Sequence, residues 1–387
     1  MSAISSMSVL RRLLSPVGRR LWEWRCRRNA AAAVRQAQRL RRLPAADNRP
    51  LRVAYVHPGF PAAPSQAPSG GGGGVKYLWL EERFPHGFPE CDAVYAVSSA
   101  RHERAAAVFA EAKRRGIPIV WNQDGAYFPH SYGAAAAERG NRAMGELLHA
   151  ADYVLYQSEF ARSSSHRFLG ARNGPGEILY NAVDTAFYRP MEERRGPGTV
   201  LLAAGSHDDA YRLPLVMDVF QLARQRVPDL RLLIAGRIGA EPLADVRRRI
   251  EREQRRDVVE IAGPYAPATT PQLFNRAHIF LHAKYSDVCP SVVLEAMACG
   301  LPVAFSATGG TPELVGDAGV GVATEQDWDR PRPPSAEALA DAVVRVAAAR
   351  DEFSRRARLR AVEHFDIQPW LARHEAVFRE WAERRTP

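Results

Sequence analysis

Two carboxylates with seven residues between them, Asp287 and Glu295, frame the stretch DVCPSVVLEAMACGLPV at residues 287–303. The apolar residues around Glu295 predict a short helix that ends at Gly300, with Pro302 just beyond it. A carboxylate among such residues is costly to bury without a partner, and a helix N-terminus attracts anions through its backbone N–H groups. The pattern indicates a ligand site, with an exposed acid on an ordinary helix as the alternative.

This stretch resembles the acid-x7-acid signature of the large retaining glycosyltransferase family 4, which has the GT-B fold. In that family the first acid is usually Glu and contacts the donor sugar, so the resemblance gives Asp287 a catalytic role. The second acid, Glu295, would hold the ribose of the nucleotide. Residues 308–315, TGGTPELV, also match the family pattern. In this part of the chain the resemblance implies a set of donor-binding residues: Glu295, Ser291, Gly309, Gly310 and Glu313.

One segment departs from the family pattern. The family usually has Arg directly after the glycine that corresponds to Gly205, and Lys about six residues later, and these two cations neutralise the donor diphosphate. Here Ser206 follows the glycine, and the nearest later cation is Arg212. Arg212, Lys284 or a helix terminus would have to substitute. His207 is a further candidate for the cleft, although a single loop histidine is more often structural or solvated. The donor-binding set therefore also includes Gly205, Ser206, His207, Arg212 and Lys284.

The first half of the chain contains a loop rich in Pro, Ala, Ser and Gly at residues 58–74, between a predicted strand and a predicted helix at 75–83. Such an arrangement is typical of a phosphate cradle, although a flexible surface loop fits equally well. In the resembling family this loop faces the donor phosphates and the acceptor, which points to Gly73 and Gly74. The family often has His after the strand corresponding to 117–121. Here Asp124 is the candidate for contact with the acceptor, and it is counted as catalytic.

Predicted strands alternate with predicted helices through both halves of the chain, which favours α/β architecture with doubly wound parallel sheets. With the resemblance, this predicts a GT-B fold in which two Rossmann-like domains face a cleft. Ligands bind beyond the carboxyl ends of such strands. The expected divisions are a basic tail at 1–48, an acceptor-side domain at 49–190, a donor domain at 191–364, and a last helix at 365–387 that crosses back.

The net charge of +10 is confined to one end of the chain, because residues 1–46 hold eleven arginines and a single acid, Glu23. The remainder is neutral overall, so nucleic acid is not an expected partner. Leucines and tryptophans between these arginines suggest a peripheral anchor on an anionic, cytoplasmic membrane face. A transit peptide and a solvated tail remain alternatives. No run of 18 apolar residues is present, and none of the four cysteines has metal-ligand spacing.

The function implied by the resemblance is transfer of a hexose from a nucleotide-sugar to a glycan or lipid-linked acceptor, with retained configuration. The setting would be synthesis of cell-surface polysaccharide or glycolipid, with no cofactor and no metal. Two alternatives remain. A nucleotide-sugar epimerase can share the two-domain architecture. A nucleotide-sugar-binding pseudoenzyme would explain Ser206 and the missing histidine.

Overall fold

The computed structural model describes residues 38–43, 49–66, 71–191 and 198–384. The basic segment at 1–46 lies outside these residues, apart from 38–43. The strands, in chain order, are β1 Arg41–Arg42, β2 Val53–Tyr55, β3 Glu90–Cys91, β4 Ala93–Val97, β5 Ile119–Gln123, β6 Tyr153–Tyr156, β7 Gly176–Ile178, β8 Thr199–His207, β9 Leu230–Ile238, β10 Val259–Gly263, β11 Ile279–His282, β12 Val303–Ser306 and β13 Gly319–Val322.

The α-helices are α1 Gly71–Arg83, α2 Ala105–Arg114, α3 Pro129–Tyr132, α4 Ala134–Ala150, α5 Glu159–Leu169, α6 Arg212–Arg224, α7 Ala240–Arg252, α8 Thr270–Phe274, α9 Ser291–Ala298, α10 Thr311–Val315, α11 Ala336–Ala348, α12 Arg350–Phe365 and α13 Ile367–Glu383. None of the described helices has the length and apolar character needed to cross a membrane.

A five-stranded parallel sheet, in the order β2-β4-β5-β6-β7, forms the centre of what we call the first unit. Its central strands are buried throughout, as in AVYAV of β4, because helices cover both faces of a parallel sheet. Residues 38–43, which the sequence suggested were part of the tail, belong to this unit. There β1 pairs with β3, and Leu40 is fully buried in the core.

A six-stranded parallel sheet, in the order β10-β9-β8-β11-β12-β13, forms the centre of the second unit. The chain starts at β8, builds outward to β10, and returns to the other side of β8 with β11. The strand order reverses between β8 and β11, and this is the point where doubly wound sheets bind ligands. The carboxyl ends of these two strands carry Gly205 and Ser206 on one side and the loop 284–287 on the other.

The chain passes between the units twice, near Val183 and near Asp366, and these two segments pair side by side. The Val183 N–H donates to the carbonyl of Phe365, and the Ile367 N–H donates to the carbonyl of Val183. The chain then continues into α13, which packs on the first sheet, where Trp370 and Phe378 are buried with Tyr55 and other residues of β2 and β4.

The glycine run behaves differently from the sequence expectation of a loop up to Gly74. Helix α1 already begins at Gly71, so the glycines form its first turn. A Cβ atom on Gly73 would lie 2.7 Å from Ser99 Oγ and 2.9 Å from Ala100 Cβ. Glycine at this position therefore permits close packing of α1 on the loop after β4, and it is not simply a source of flexibility.

Candidate functional site

The loop after β11 positions Asp287 through an unusual backbone. Ser286 adopts a left-handed conformation with φ of 52°, and its N–H donates to Thr308 Oγ1 at 3.0 Å. Gly309 lies so close that a Cβ atom would be 2.2 Å from the carbonyl oxygen of Asp287. The N–H of Gly310 donates to that same oxygen at 2.8 Å. The two glycines thus hold the Asp287 loop in place, and residues in such backbone conformations cluster at functional sites.

Three basic side chains surround the Asp287 carboxylate. Its Oδ2 lies 3.2 Å from His282 Nε2 and 3.5 Å from Lys284 Nζ, and Arg212 adds a favourable charge interaction. Burial raises the pKa of Asp287, but these neighbours outweigh it and hold the pKa well below its usual range. Burial lowers the pKa of His282, which favours a neutral ring. Asp287 is therefore an ionised acceptor, suited to binding hydroxyl groups.

Glu295 lies further along α9 than Ser291, in an apolar setting. Burial raises the pKa of Glu295 to about 8, against the effect of a hydrogen bond from the Tyr188 hydroxyl. The charge of Glu295 also raises the pKa of two neighbouring side chains, Tyr265 and Cys299. A ligand that donates hydrogen bonds would stabilise this buried carboxyl group, because its oxygens would then have hydrogen-bond partners.

Two connected cavities lie in the cleft between the units. The Asp287 cavity has a volume of about 720 Å³ and includes Asp287 and Asp124. The Glu295 cavity has a volume of about 530 Å³ and includes Glu295, Tyr188 and Tyr265. Six residues border both cavities and mark the junction between them: Lys76, Asn181, Gly205, Ser206, Ser291 and Val292. Because Ser291 begins α9, the N-terminus of that helix also faces the junction.

The first unit contributes Asp124 and Gly73 to the Asp287 cavity. Asp124 follows β5, and its two oxygens accept hydrogen bonds from the hydroxyls of Ser98 and Ser99. Its own N–H donates to Ser98 Oγ at 3.0 Å. The loop after β4 therefore fixes Asp124 across the cleft from Asp287, and the two acids come from opposite units.

Several residues expected to contact a donor lie behind the cavity walls. The ring of His207 is 1% exposed, its Nε2 is 3.1 Å from the Ala235 carbonyl oxygen, and burial lowers its pKa to about 4. The guanidinium of Arg212 donates to the carbonyls of Ala204 and Ser206. Gly74 is buried in the first turn of α1. These three residues support the site from outside the cleft, as Gly309 and Gly310 do.

Glu313 also has a different place from the one that its motif suggested. Its two carboxylate oxygens accept hydrogen bonds from the N–H groups of Glu159 and Phe160, at 2.8 and 2.9 Å. The Tyr180 hydroxyl donates to one of them at 3.1 Å. Glu313 thus ties α10 of the second unit to the N-terminus of α5 in the first, and it does not line either cavity.

Sequence reasoning missed two cations of the cleft. Lys76 extends from α1 to the junction, and Arg237, at the end of β9, lines the Glu295 cavity. Arg237 lies opposite Ser206 in the β8–β9 register and donates to Ser206 Oγ at 2.8 Å and to Asp208 Oδ2 at 2.6 Å. The sequence feature that could have identified Arg237 is its position as the first charged residue at the carboxyl end of a predicted buried strand, the one that follows β8 in the chain. Within the described residues, no group of three or more His, Cys, Asp or Glu side chains has the arrangement of a metal site.

The second unit matches a known protein family. Residues 184–361 match the family described as Glycosyl transferases group 1, and this range includes β8 to β13 with Asp287 and Glu295. These residues form a glycosyl transferases group 1 domain.

Curated relatives of this domain are glycosyltransferases, and the similarity to each covers part of both chains. D-inositol 3-phosphate glycosyltransferase of Pseudarthrobacter chlorophenolicus is 32% identical over 41% of this chain and 40% of its own length. GDP-mannose:cellobiosyl-diphosphopolyprenol alpha-mannosyltransferase of Xanthomonas campestris is 26% identical over 58% of this chain and 59% of its own. One polypeptide of the Homo sapiens phosphatidylinositol N-acetylglucosaminyltransferase is 25% identical over 36% of this chain and 28% of its own. The chain thus spans less than two thirds of these relatives.

Solved structures extend the comparison to both units. Anabaena HepE in complex with UDP and glucose has a TM-score of 0.60 at 18% identity, over 74% of this chain and 77% of that one. Sucrose-phosphate synthase from Thermosynechococcus elongatus has a TM-score of 0.60 at 16% identity, over 79% and 78%. The chain has the GT-B fold that the group 1 domain shares with such enzymes, which confirms the fold class expected from the sequence.

Proposed function

We propose that the protein transfers a hexose from a nucleotide-sugar to a hydroxyl of a glycan or lipid-linked acceptor, with retention of configuration as in glycosyltransferase family 4. The observation that carries this proposal is the pair of cavities joined at the N-terminus of α9. The Glu295 cavity offers an apolar surface and a carboxyl group for a nucleoside, and the Asp287 cavity offers an ionised acid for a sugar. The diphosphate between them would lie at the junction, next to a helix N-terminus.

In this proposal the bond between the anomeric carbon and the diphosphate oxygen breaks, and its electron pair leaves with the diphosphate. The acceptor oxygen forms the new bond to the same carbon, and its proton passes to the departing diphosphate. Asp287 orients the sugar hydroxyls and stabilises positive charge on the ring, while Asp124 accepts a hydrogen bond from the acceptor hydroxyl. No step requires a metal or a cofactor, because side chains and a helix terminus stabilise the leaving group.

The acceptor class rests on the relatives and on the chain's basic segment. The Xanthomonas relative acts on a diphosphopolyprenol, and the human relative acts on phosphatidylinositol, by their names. We propose a lipid-linked acceptor here too, used in synthesis of cell-surface polysaccharide or glycolipid. Residues 1–46 would hold the enzyme on the cytoplasmic face of an anionic membrane, with about 1 kcal/mol from each basic residue near the surface.

A ligand panel tests the donor class. UDP, GDP, ADP and their sugar conjugates are added to the full chain, and the melting temperature is measured; a ligand that binds only the folded state raises it. We expect one nucleotide and its sugar conjugate to do so. If none of them raises the melting temperature, the proposal is overturned. Release of a free epimer without an acceptor would identify the epimerase alternative, and binding without any turnover would identify the pseudoenzyme.

Asp287→Asn tests the sugar-side role. The amide keeps the shape of the carboxylate, so we expect nucleotide affinity within about twofold of the natural chain, while turnover of the sugar conjugate falls by about 100-fold or more. An interaction that strengthens in the transition state has this effect when it is removed. Calorimetry with the nucleotide and a donor-consumption assay measure the two quantities. Equal losses in both would remove the role from Asp287.

A further inference from the structure

We propose that Lys76 binds the diphosphate of the donor and stabilises it as the leaving group. This inference rests on the proposed function and deepens it, because it names the cation that the Gly205–Ser206 segment lacks. The charge comes from the first unit, whereas Glu295 and Asp287 belong to the second. Departure of the diphosphate then depends on both units meeting across the cleft.

The position of Lys76 singles it out. Of the six residues that border both cavities, Lys76 is the one with an ionisable side chain. A diphosphate that connects a nucleoside in one cavity to a sugar in the other must cross this junction. The N-terminus of α9 faces the same place from the opposite unit. A diphosphate there would accept hydrogen bonds from backbone N–H groups on one side and from an ammonium group on the other.

None of the other nearby cations among the described residues borders both cavities. Arg212 lies behind Gly205, where its guanidinium donates to two carbonyls of β8, and it lines neither cavity. Lys284 lines the Asp287 cavity alone and lies 3.5 Å from the Asp287 carboxylate. Arg237 lines the Glu295 cavity alone, where it donates to Ser206 Oγ at 2.8 Å and is neutralised by Asp208 at 2.6 Å. Each of these three cations already bonds to a carbonyl or a carboxylate of the second unit.

The glycine run explains how Lys76 arrives at the junction. Gly73 allows α1 to pack against Ser99 and Ala100, and Lys76 follows three residues later on the same face of the helix. The side chain is 4% exposed. Burial lowers the pKa of Lys76, while the Asp124 carboxylate raises it. A bound diphosphate would favour the charged amine further, so the donor and the charged form of this lysine stabilise each other.

The chemical role of Lys76 requires no proton transfer from the amine. As the bond from the anomeric carbon to the diphosphate oxygen breaks, negative charge accumulates on the diphosphate, and the ammonium group donates hydrogen bonds to it. The acceptor hydroxyl supplies the new bond, and its proton goes to the departing oxygen. Lys76 would therefore act on both ground-state binding and turnover.

The test compares a nucleoside diphosphate with its nucleoside in the same variant. Lys76→Met and Lys76→Gln remove the charge, Lys76→Arg keeps it, and Lys113→Met is the control. Lys113 lies on the outer surface of the first unit, 44% exposed and 3.9 Å from Asp152. The probes are UDP with uridine, GDP with guanosine and ADP with adenosine, measured by calorimetry on the full chain.

We expect the two uncharged variants to bind the diphosphate at least about tenfold more weakly, a loss of about 1.4 kcal/mol, with nucleoside affinity unchanged. Lys76→Arg should retain most of the preference for the diphosphate, and Lys113→Met should equal the natural chain. Turnover of the sugar conjugate should fall further than binding in the uncharged variants. Because each variant is compared with itself, a change in stability does not imitate the result.

Two results would overturn the role of Lys76: unchanged diphosphate affinity in both uncharged variants, or equal losses for diphosphate and nucleoside. Failure of the proposed function has a different signature. In that case the natural chain itself would bind none of the three diphosphates, whatever residue stands at position 76.

Discussion

Glu295 affects the stability of the protein in the absence of any ligand. Burial raises the pKa of its carboxyl group to about 8, from an ordinary value of 4.5. Between these two values the folded protein holds the proton more tightly than the unfolded chain does. The free energy of unfolding therefore decreases as the pH rises through this window. The buried carboxyl group is thus least favourable to the fold at neutral and alkaline pH.

Glu295→Gln should remove this pH dependence. The amide resembles the protonated acid, so we expect similar melting temperatures for the variant and the natural chain at pH 5. At pH 8 the variant should melt at least about 3 °C higher, since 1 kcal/mol corresponds to about 2–4 °C in a domain of this size. Thermal scans without nucleotide at both pH values measure the difference. Glu337→Gln, on the exposed face of α11, is the control, and a constant offset between pH 5 and pH 8 would contradict the expectation.

Residue patterns in the sequence predicted some parts of the site and not others. Asp287 and Glu295 were predicted because a local pattern, an apolar helix with a glycine stop, places both acids in the cleft. Lys76 and Arg237 were missed since their positions in the cleft depend on packing between the units and on the β8–β9 register. Glu313 lies in a matching motif, yet its carboxylate binds another helix. Sequence spacing determines local geometry, but the partner of a side chain depends on packing between distant segments.

At the scale of elements, a residue of the second unit accepts hydrogen bonds from the first turn of α5. Ser158 supplies the local N-cap, as its Oγ accepts from the Ala161 N–H. The two preceding N–H groups, of Glu159 and Phe160, donate to Glu313. A carboxylate at a helix N-terminus is favourable because it compensates the unpaired N–H groups and the helix dipole. The contact with the second unit consequently stabilises the first turn of α5 beyond what Ser158 provides.

Glu313→Ala should loosen this turn. We expect the Glu159 and Phe160 amides to exchange with deuterium about five times faster, as loss of a cap costs about 1 kcal/mol. Amides in the middle of α5 should change less. Hydrogen exchange by NMR or by mass spectrometry of the peptide at 155–165 measures this. Glu363→Ala, an exposed acid on α12, is the matched control, and the same protection in both variants would show that Glu313 does not support α5.

The strands were easier to predict than the first helix. Runs such as residues 93–97 and 279–282 are buried on both faces, so continuous apolar sequence identified them. The glycine run was predicted as a loop, since glycine is a poor helix former. In the structure α1 begins at Gly71, and its first turn packs so closely on Ser99 and Ala100 that there is no room for a side chain at Gly73. Here tertiary contact overrides local propensity.

On the scale of the whole molecule, residues 38–43 are part of the folded first unit, although the sequence suggested that they belong to a tail at 1–48. Leu40 is fully buried, the Arg115 guanidinium donates to the Gln38 carbonyl at 2.8 Å, and Arg42 donates to the Ala382 carbonyl at 3.1 Å. These contacts attach the segment both to α2 and to the end of α13. Removal of residues up to 43 would therefore damage the fold as well as any anchor.

Two truncated chains separate these effects. A chain that begins at residue 44 should melt about 5–10 °C below one that begins at residue 38, because it loses a fully buried leucine, at about 2–3 kcal/mol, two side-chain hydrogen bonds and the pairing of β1 with β3. Thermal scans of both chains give the comparison, and coincident transitions would contradict it. Co-sedimentation of the longer truncated chain with anionic vesicles then tests the anchor in a chain that keeps β1 and Leu40.

The last helix has a consequence for the order in which the protein is made. Five residues of α13 complete the core of the first unit: Ile367, Trp370, Leu371, Val377 and Phe378. Trp370 packs edge-on against Trp79, and Phe378 packs against Phe84 and Tyr95. These residues leave the ribosome after every strand of both sheets has been synthesised.

Domains usually fold in the order in which they are translated, beginning at the N-terminus. Here the whole sequence of the second unit has been synthesised when translation reaches residue 366, whereas the first unit still lacks one wall of its core. A nascent chain at this stage exposes the aromatic face of Trp79, Phe84 and Tyr95. The N-terminal half of the protein thus leaves the ribosome before the C-terminal half, but its core is completed later. Until α13 packs on it, that aromatic face is a binding surface for chaperones.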